Sequence, residues 1–195
     1  MRKEVLTLPE IQRDRACLAI ANRYKHLNTI RRDLRDADRI LEQCIQISQR
    51  LSANPGVLSQ ASDEIFYAQA ALMHAVTLYG RWFKSTEGKP TLKEREFFAK
   101  GSKEHSVHSQ LIELRDQYIA HRELDILGSD SIWACFTDDG KFVRTHSTWL
   151  EQRLPNTEEL RSIQNAIRTV HNKIDRTMLP EVQSKLEEAL KKIYG

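Results

Sequence analysis

Apolar residues in the first part of the chain recur at alternating steps of three and four: Leu27, Ile30, Leu34, Ala37, Leu41, Cys44 and Leu51, with Ser48 in the one polar slot. That spacing is the seam of a helix with one buried face. No Gly or Pro interrupts the chain between Pro9 and Pro55. Thr7-Leu8-Pro9-Glu10 reads as the start: a cap, a Pro in the first turn and a Glu three residues on. An unbroken helix over the whole stretch would be roughly 65 Å long. A bend or break is therefore expected near residues 23–28.

Ser62-Asp63-Glu64 predicts a second helix with acids in its first turn. Its seam is Ile65, Ala68, Leu72, Val76, Tyr79 and Phe83. Thr91-Leu92-Lys93-Glu94 reads as a capping box opening a short helix that Gly101 ends. A third long helix is expected from about Lys103 to Leu124. The period then changes. Residues 132–136 and 142–145, around Asp139-Gly140, predict a small β-hairpin. Pro155-Asn156-Thr157-Glu158-Glu159 starts a fourth long helix with the seam Leu160, Ile163, Ile167, Val170, Ile174 and Met178. Pro180 starts a last helix carrying Val182, Leu186, Leu190 and Ile193. The expected fold is all-α. It is a single domain over residues 1–195, an antiparallel four-to-five-helix bundle with the hairpin inserted between the third and fourth long helices. Leu111, Leu114, Ile167, Val170, Leu72 and Val76 should share one core, with the hairpin near Phe136 and Phe142 peripheral.

Composition narrows the setting. The 195 residues are 40% hydrophobic and 29% charged, with only 7 Gly and 5 Pro. That balance is globular and leaves little room for a turn-rich β fold. The net charge of +3 permits nucleic acid as a partner without arguing for it. Cys17, Cys44 and Cys135 are too few and too scattered for a disulfide framework or a zinc site, which fits a reducing compartment. The start, Met1 to Pro9, has no apolar core of a signal peptide. The stretch from Phe66 to Tyr79 is broken by Gln69, His74 and Thr77, short of the roughly 20 apolar residues of a membrane span. A cytoplasmic protein with no membrane partner is expected.

The third helix carries an anomaly. With Val107 as zero on a wheel of about 100° per residue, Leu111, Leu114 and Tyr118 cluster near zero and His121 continues that stripe. Ile112 and Ile119 form a second stripe, and Arg115 lies between the two. The polar residues Ser109, Glu113, Asp116 and Gln117 take the other side. Arg115 and His121 thus share the broad apolar face, about 120° apart. A guanidinium there needs a carboxylate, water or an anionic ligand, because Arg cannot shed its proton. One reading pairs Arg115 with an acid of a neighbouring helix and makes His121 a C-terminal cap. The other places both residues in a shared anion-binding cleft.

The segment Leu114-Arg115-Asp116-Gln117-Tyr118-Ile119-Ala120-His121-Arg122 resembles the motif of the HEPN superfamily (higher eukaryotes and prokaryotes nucleotide-binding), in its abortive-infection-like branch. That motif is an Arg, a polar neighbour and a His four to six positions beyond the Arg. Here Asp116 is the neighbour, and five residues separate Arg115 from His121. The helix order is similar over most of the chain, but only this short segment is specific. The resemblance implies a metal-independent endoribonuclease of toxin or antiviral type. It also implies a homodimer that gathers two Arg and two His around one cleft. Some family members have lost activity and serve as protein- or nucleotide-binding modules, which is the alternative. The resemblance carries Arg115, His121 and Asp116 as catalytic candidates. Tyr118, Arg122 and Arg81 stand around them as supporting candidates. RNA is the expected partner, with an antitoxin or regulatory protein as a further one; no cofactor and no metal are expected.

Other features read more plainly. His105 and His108 stand at i and i+3, but nothing completes a metal site, and Ser102 and Ser106 mark a solvated helix start. His74 reads as a core histidine. Arg31, Arg32, Arg35 and Arg39 form a basic row interleaved with Asp33, Asp36, Asp38 and Glu42. Pairing at i,i+4 on a solvated face is expected, with phosphate tracking as the alternative. Trp82, beside Arg81, is expected to pack rather than to stack on a base.

Overall fold

The computed structural model describes residues 4–53, 62–84, 91–120, 131–136, 142–148 and 154–195. It is mostly helical. A 3-10 turn, Val5–Thr7, leads into the short α1, Pro9–Arg13, and then α2, Arg15–Ala53. The other helices are α3, Ser62–Gly80, α4, Lys103–Ala120, α5, Thr157–Lys173, and α6, Leu179–Tyr194. Between α4 and α5, strand β1, Ser131–Phe136, pairs antiparallel with β2, Phe142–Thr148, with a register shift between Cys135 and Phe136. The Asp-Gly turn expected there and the strand side chains lie outside the described residues.

α2 is the spine. It runs unbroken for 39 residues, so the interruption expected near residues 23–28 is absent. The break comes at Asp14 instead. Its Oδ1 accepts from the backbone N–H of Ala16 at 2.9 Å and of Cys17 at 3.0 Å, which satisfies two free donors of the first turn. Thr7 is not the cap of the preceding helix; its hydroxyl donates to Glu4 O, and Leu8 holds the cap position.

Cross-helix contacts set the directions. Along α2 the numbers rise while those of its partners fall. Asp33 meets Arg81 and Trp82, Cys44 Sγ lies 3.5 Å from Ala68 O, and Arg50 pairs with Glu64. Likewise Arg31 meets Asp175, Asp38 meets Arg168, and Ser48 meets Thr157. So α3 and the α5–α6 run both lie antiparallel to α2. The basic row therefore does not pair at i,i+4. Its helix uses cross-helix partners and the close neighbours Arg32–Asp33 and Arg35–Asp36.

The seams meet in one core. Leu34, Leu41, Leu72, Val76, Leu111, Ile167 and Val170 are buried together, with Leu114 packed against them. Ser48 is buried in its polar slot and accepts from the Thr157 hydroxyl at 3.3 Å. Asn156 caps α5 in a capping box with Glu159. Pro180 stands in the first turn of α6, as expected, but the chain does not break before it. A single π turn, Ile174–Met178, links α5 and α6 without a gap. The extra residue in that turn accommodates a proline that has no N–H and whose ring crowds the carbonyl four residues back.

The helix expected from Thr91 to Gly101 is reduced to one 3-10 turn, Glu94–Glu96, with no side-chain cap. Gly101 has φ of 81°, a left-handed turn just before α4 that suits glycine. No helix among the described residues is long and apolar enough to cross a membrane.

Candidate functional site

α4 crosses the C-terminal end of α3, and the site is built at that crossing. Leu111 is buried, while Val107, Ile112 and Leu114 pack partly buried against the core. This anchors the two apolar stripes and holds Arg115 between them with a side chain 20% exposed. Its aliphatic stem lies against Gly80, the last residue of α3. Nη1 donates to Asp116 Oδ1 at 2.8 Å, whereas Nε is buried with no hydrogen-bond partner among the described residues.

The ideal wheel places Asp116 away from Arg115, but the long arginine side chain bends round to reach it. Lys84, just beyond α3, also binds Asp116, with Nζ 2.5 Å from Oδ2. Partial burial works against the Asp116 charge. The hydrogen bonds from Lys84 and Arg115 outweigh it and hold its pKa below the ordinary value. The carboxylate that meets Arg115 is thus its own neighbour on α4, shared with a lysine that sequence reasoning missed. Lys84 left no sequence signal, because it falls between a helix end and a loop.

His121 and Arg122 lie outside the described residues. Tyr118 is on α4, with its side chain outside them. Arg81 has its partner elsewhere. It pairs with the buried Asp33, which also accepts from Trp82 Nε1 at 2.8 Å, and its guanidinium lies 4.9 Å from the centre of the Trp82 ring. Trp82 is therefore held by packing and this bond.

Two histidine readings are corrected. His74 is exposed on α3. The core histidine is His108, which is 2% exposed. It stacks on Phe98, meets Phe83 edge-on, and has Nδ1 2.7 Å from the Tyr79 hydroxyl. Burial raises the Tyr79 pKa, so its O–H donates and Nδ1 accepts. The N–H then sits on Nε2, 3.4 Å from Glu94 Oε2. Burial lowers the His108 pKa, although Glu94 pulls the other way. The wheel held this signal, since His108 falls on the Ile112 stripe at about 100°. Among the described residues no group of three His, Cys, Asp or Glu side chains is placed to hold a metal ion.

Comparison with family models, curated proteins and solved structures gave no match.

Proposed function

We propose that this chain is an endoribonuclease that cuts RNA without a metal ion, using the 2′-hydroxyl as nucleophile in a cleft between two copies of the chain. The observation that carries this reading is Arg115. A permanent cation sits at an apolar helix crossing, tethered at one nitrogen and, among the described residues, unpartnered at Nε. A forked cation of this kind suits the nonbridging oxygens of a phosphate. In this reading His121 moves the protons, since an imidazole titrates near working pH. Asp116 holds Arg115 in orientation, and Tyr118 and Arg122 flank the pair. Two-fold pairing near α4 brings two Arg and two His to one phosphate. The paired strands after α4 form a small hairpin insertion at the edge of the bundle. The setting is cytoplasmic, with a toxin or antiviral role.

A second reading rests on Asp116. Because Lys84 and Arg115 share this carboxylate, the cluster also suits a silent helical module that binds a protein partner or a nucleotide.

The test incubates purified protein with mixed RNA in EDTA. Wild type is expected to cut and to leave 2′,3′-cyclic phosphate ends, while His121→Ala and Arg115→Ala lose about 10²–10⁴-fold in rate. Equal silence of wild type and variants supports the module instead. Cleavage of DNA at the RNA rate would rule out the 2′-hydroxyl mechanism.

A further inference from the structure

A groove of about 770 Å³ lies along the N-terminal half of α2, beyond the C-terminal end of α3. One wall is α2, carrying two adjacent rows, Asn22-His26-Ile30 and Arg23-Leu27. The other wall is the chain from Thr91 to Lys93, with Glu96 at its rim. That wall is pinned at both ends. Leu92 N–H donates to Trp82 O at 2.7 Å, and Lys173 Nζ binds Glu96 O. Met178 closes one end from within the π turn. Single π turns in α-helices recur at functional sites.

The lining is divided in two. Leu27, Ile30 and Leu92 are buried and form an apolar floor. Above them stand Arg23 and Lys93, both exposed, and neither has an ion-pair partner among the described residues. His26 and Asn22 add donors beside them, and Glu96 is the one acid of the lining among the described residues. Cations over an apolar floor, in a groove of drug-like volume, match a ligand with a charged head and a flat apolar body.

We propose that this groove binds a small organic anion, its phosphate or carboxylate held between Arg23, His26 and Lys93 and its apolar body laid on Leu27, Ile30, Leu92 and Met178. The proposal is independent of the RNA-cutting reading.

The test is calorimetric titration of the full chain with naphthyl phosphate, naphthoate, naphthol and inorganic phosphate. At least one of the two aromatic anions is expected to bind saturably at one site per chain, and which one binds separates phosphate ester from carboxylate. Naphthol and inorganic phosphate should each bind at least about tenfold more weakly, since each lacks half of the recognised chemistry. Arg23→Gln and Lys93→Gln, exposed changes that spare the core, should each weaken the anion by about tenfold. Failure of both aromatic anions to saturate would overturn the proposal. So would naphthol or inorganic phosphate binding as tightly, or unchanged affinity in the Arg23→Gln/Lys93→Gln double variant.

Discussion

The stem of Arg115 crosses the backbone of Gly80 so closely that a Cβ on Gly80 would stand 2.9 Å from Arg115 Cγ and 3.2 Å from its Cβ. These are the near atoms of the arginine and cannot swing away as the guanidinium can. The absence of a side chain at position 80 therefore sets how α4 crosses α3 and where the guanidinium emerges.

Gly80→Ala tests this. Helix propensity alone favours alanine by about 1 kcal/mol. The overlap with Arg115 opposes it, and overpacking typically costs about 1–3 kcal/mol. The expected net result is destabilisation, read as a lower urea midpoint. In an Arg115→Ala background the contacts with Cγ and Cδ are gone and only the 3.2 Å approach to Cβ remains, so the same change should cost clearly less. Additive effects in that double-mutant cycle would show that the contact does not set the crossing.

Much of this frame is legible in the sequence, because periodicity reports burial and burial dominates helix packing. Leu34, Leu72 and Ile167 announce their shared core by spacing alone. Local chemistry decides the rest. Asp14 interrupts the first helix because its carboxylate caps α2, and capping residues are common enough that Thr7 looked equally suitable. His74 and His108 exchange roles for a similar reason. Both lie near apolar stripes, but only His108 faces a tyrosine hydroxyl from another helix. The Arg115 motif is visible as spacing, while its partner Lys84 depends on how two helices cross.

His108 gives a pH prediction with a definite sign. Its pKa in the folded chain lies below the ordinary 6.5. As pH falls below that value, the unfolded chain takes up a proton that the folded chain resists. Stability should therefore decline from about pH 6.5 downward and level off below the folded pKa. Asp116 acts in a separate, more acidic window. Its pKa lies below the ordinary 3.8, so its stabilising pairs are present above that value and are lost as pH falls through the folded pKa. Urea unfolding of wild type and His108→Gln between pH 7.5 and pH 5, roughly bracketing the histidine window, separates the two. The variant should be less stable near neutrality but show a flatter slope. An equal slope in both proteins would assign the pH dependence to another group.

Asp116→Asn separates holding Arg115 from neutralising it. Asn keeps the size of Asp and an acceptor oxygen, so Arg115 retains one bond, but the charge shared with Lys84 is gone. Removing one negative charge beside two cations strengthens attraction to a phosphate backbone, so RNA affinity at low salt should rise and fall more steeply with added salt. If Asp116 orients the guanidinium for catalysis, the rate of cutting should drop by about tenfold or more despite the tighter binding. The measurement is single-turnover cleavage beside equilibrium RNA binding, each at two salt concentrations. Tighter binding with an unchanged cleavage rate would leave Asp116 as a charge partner and remove it from the mechanism. Unchanged binding with lost cleavage would show that the Lys84 and Arg115 charges do not face the RNA.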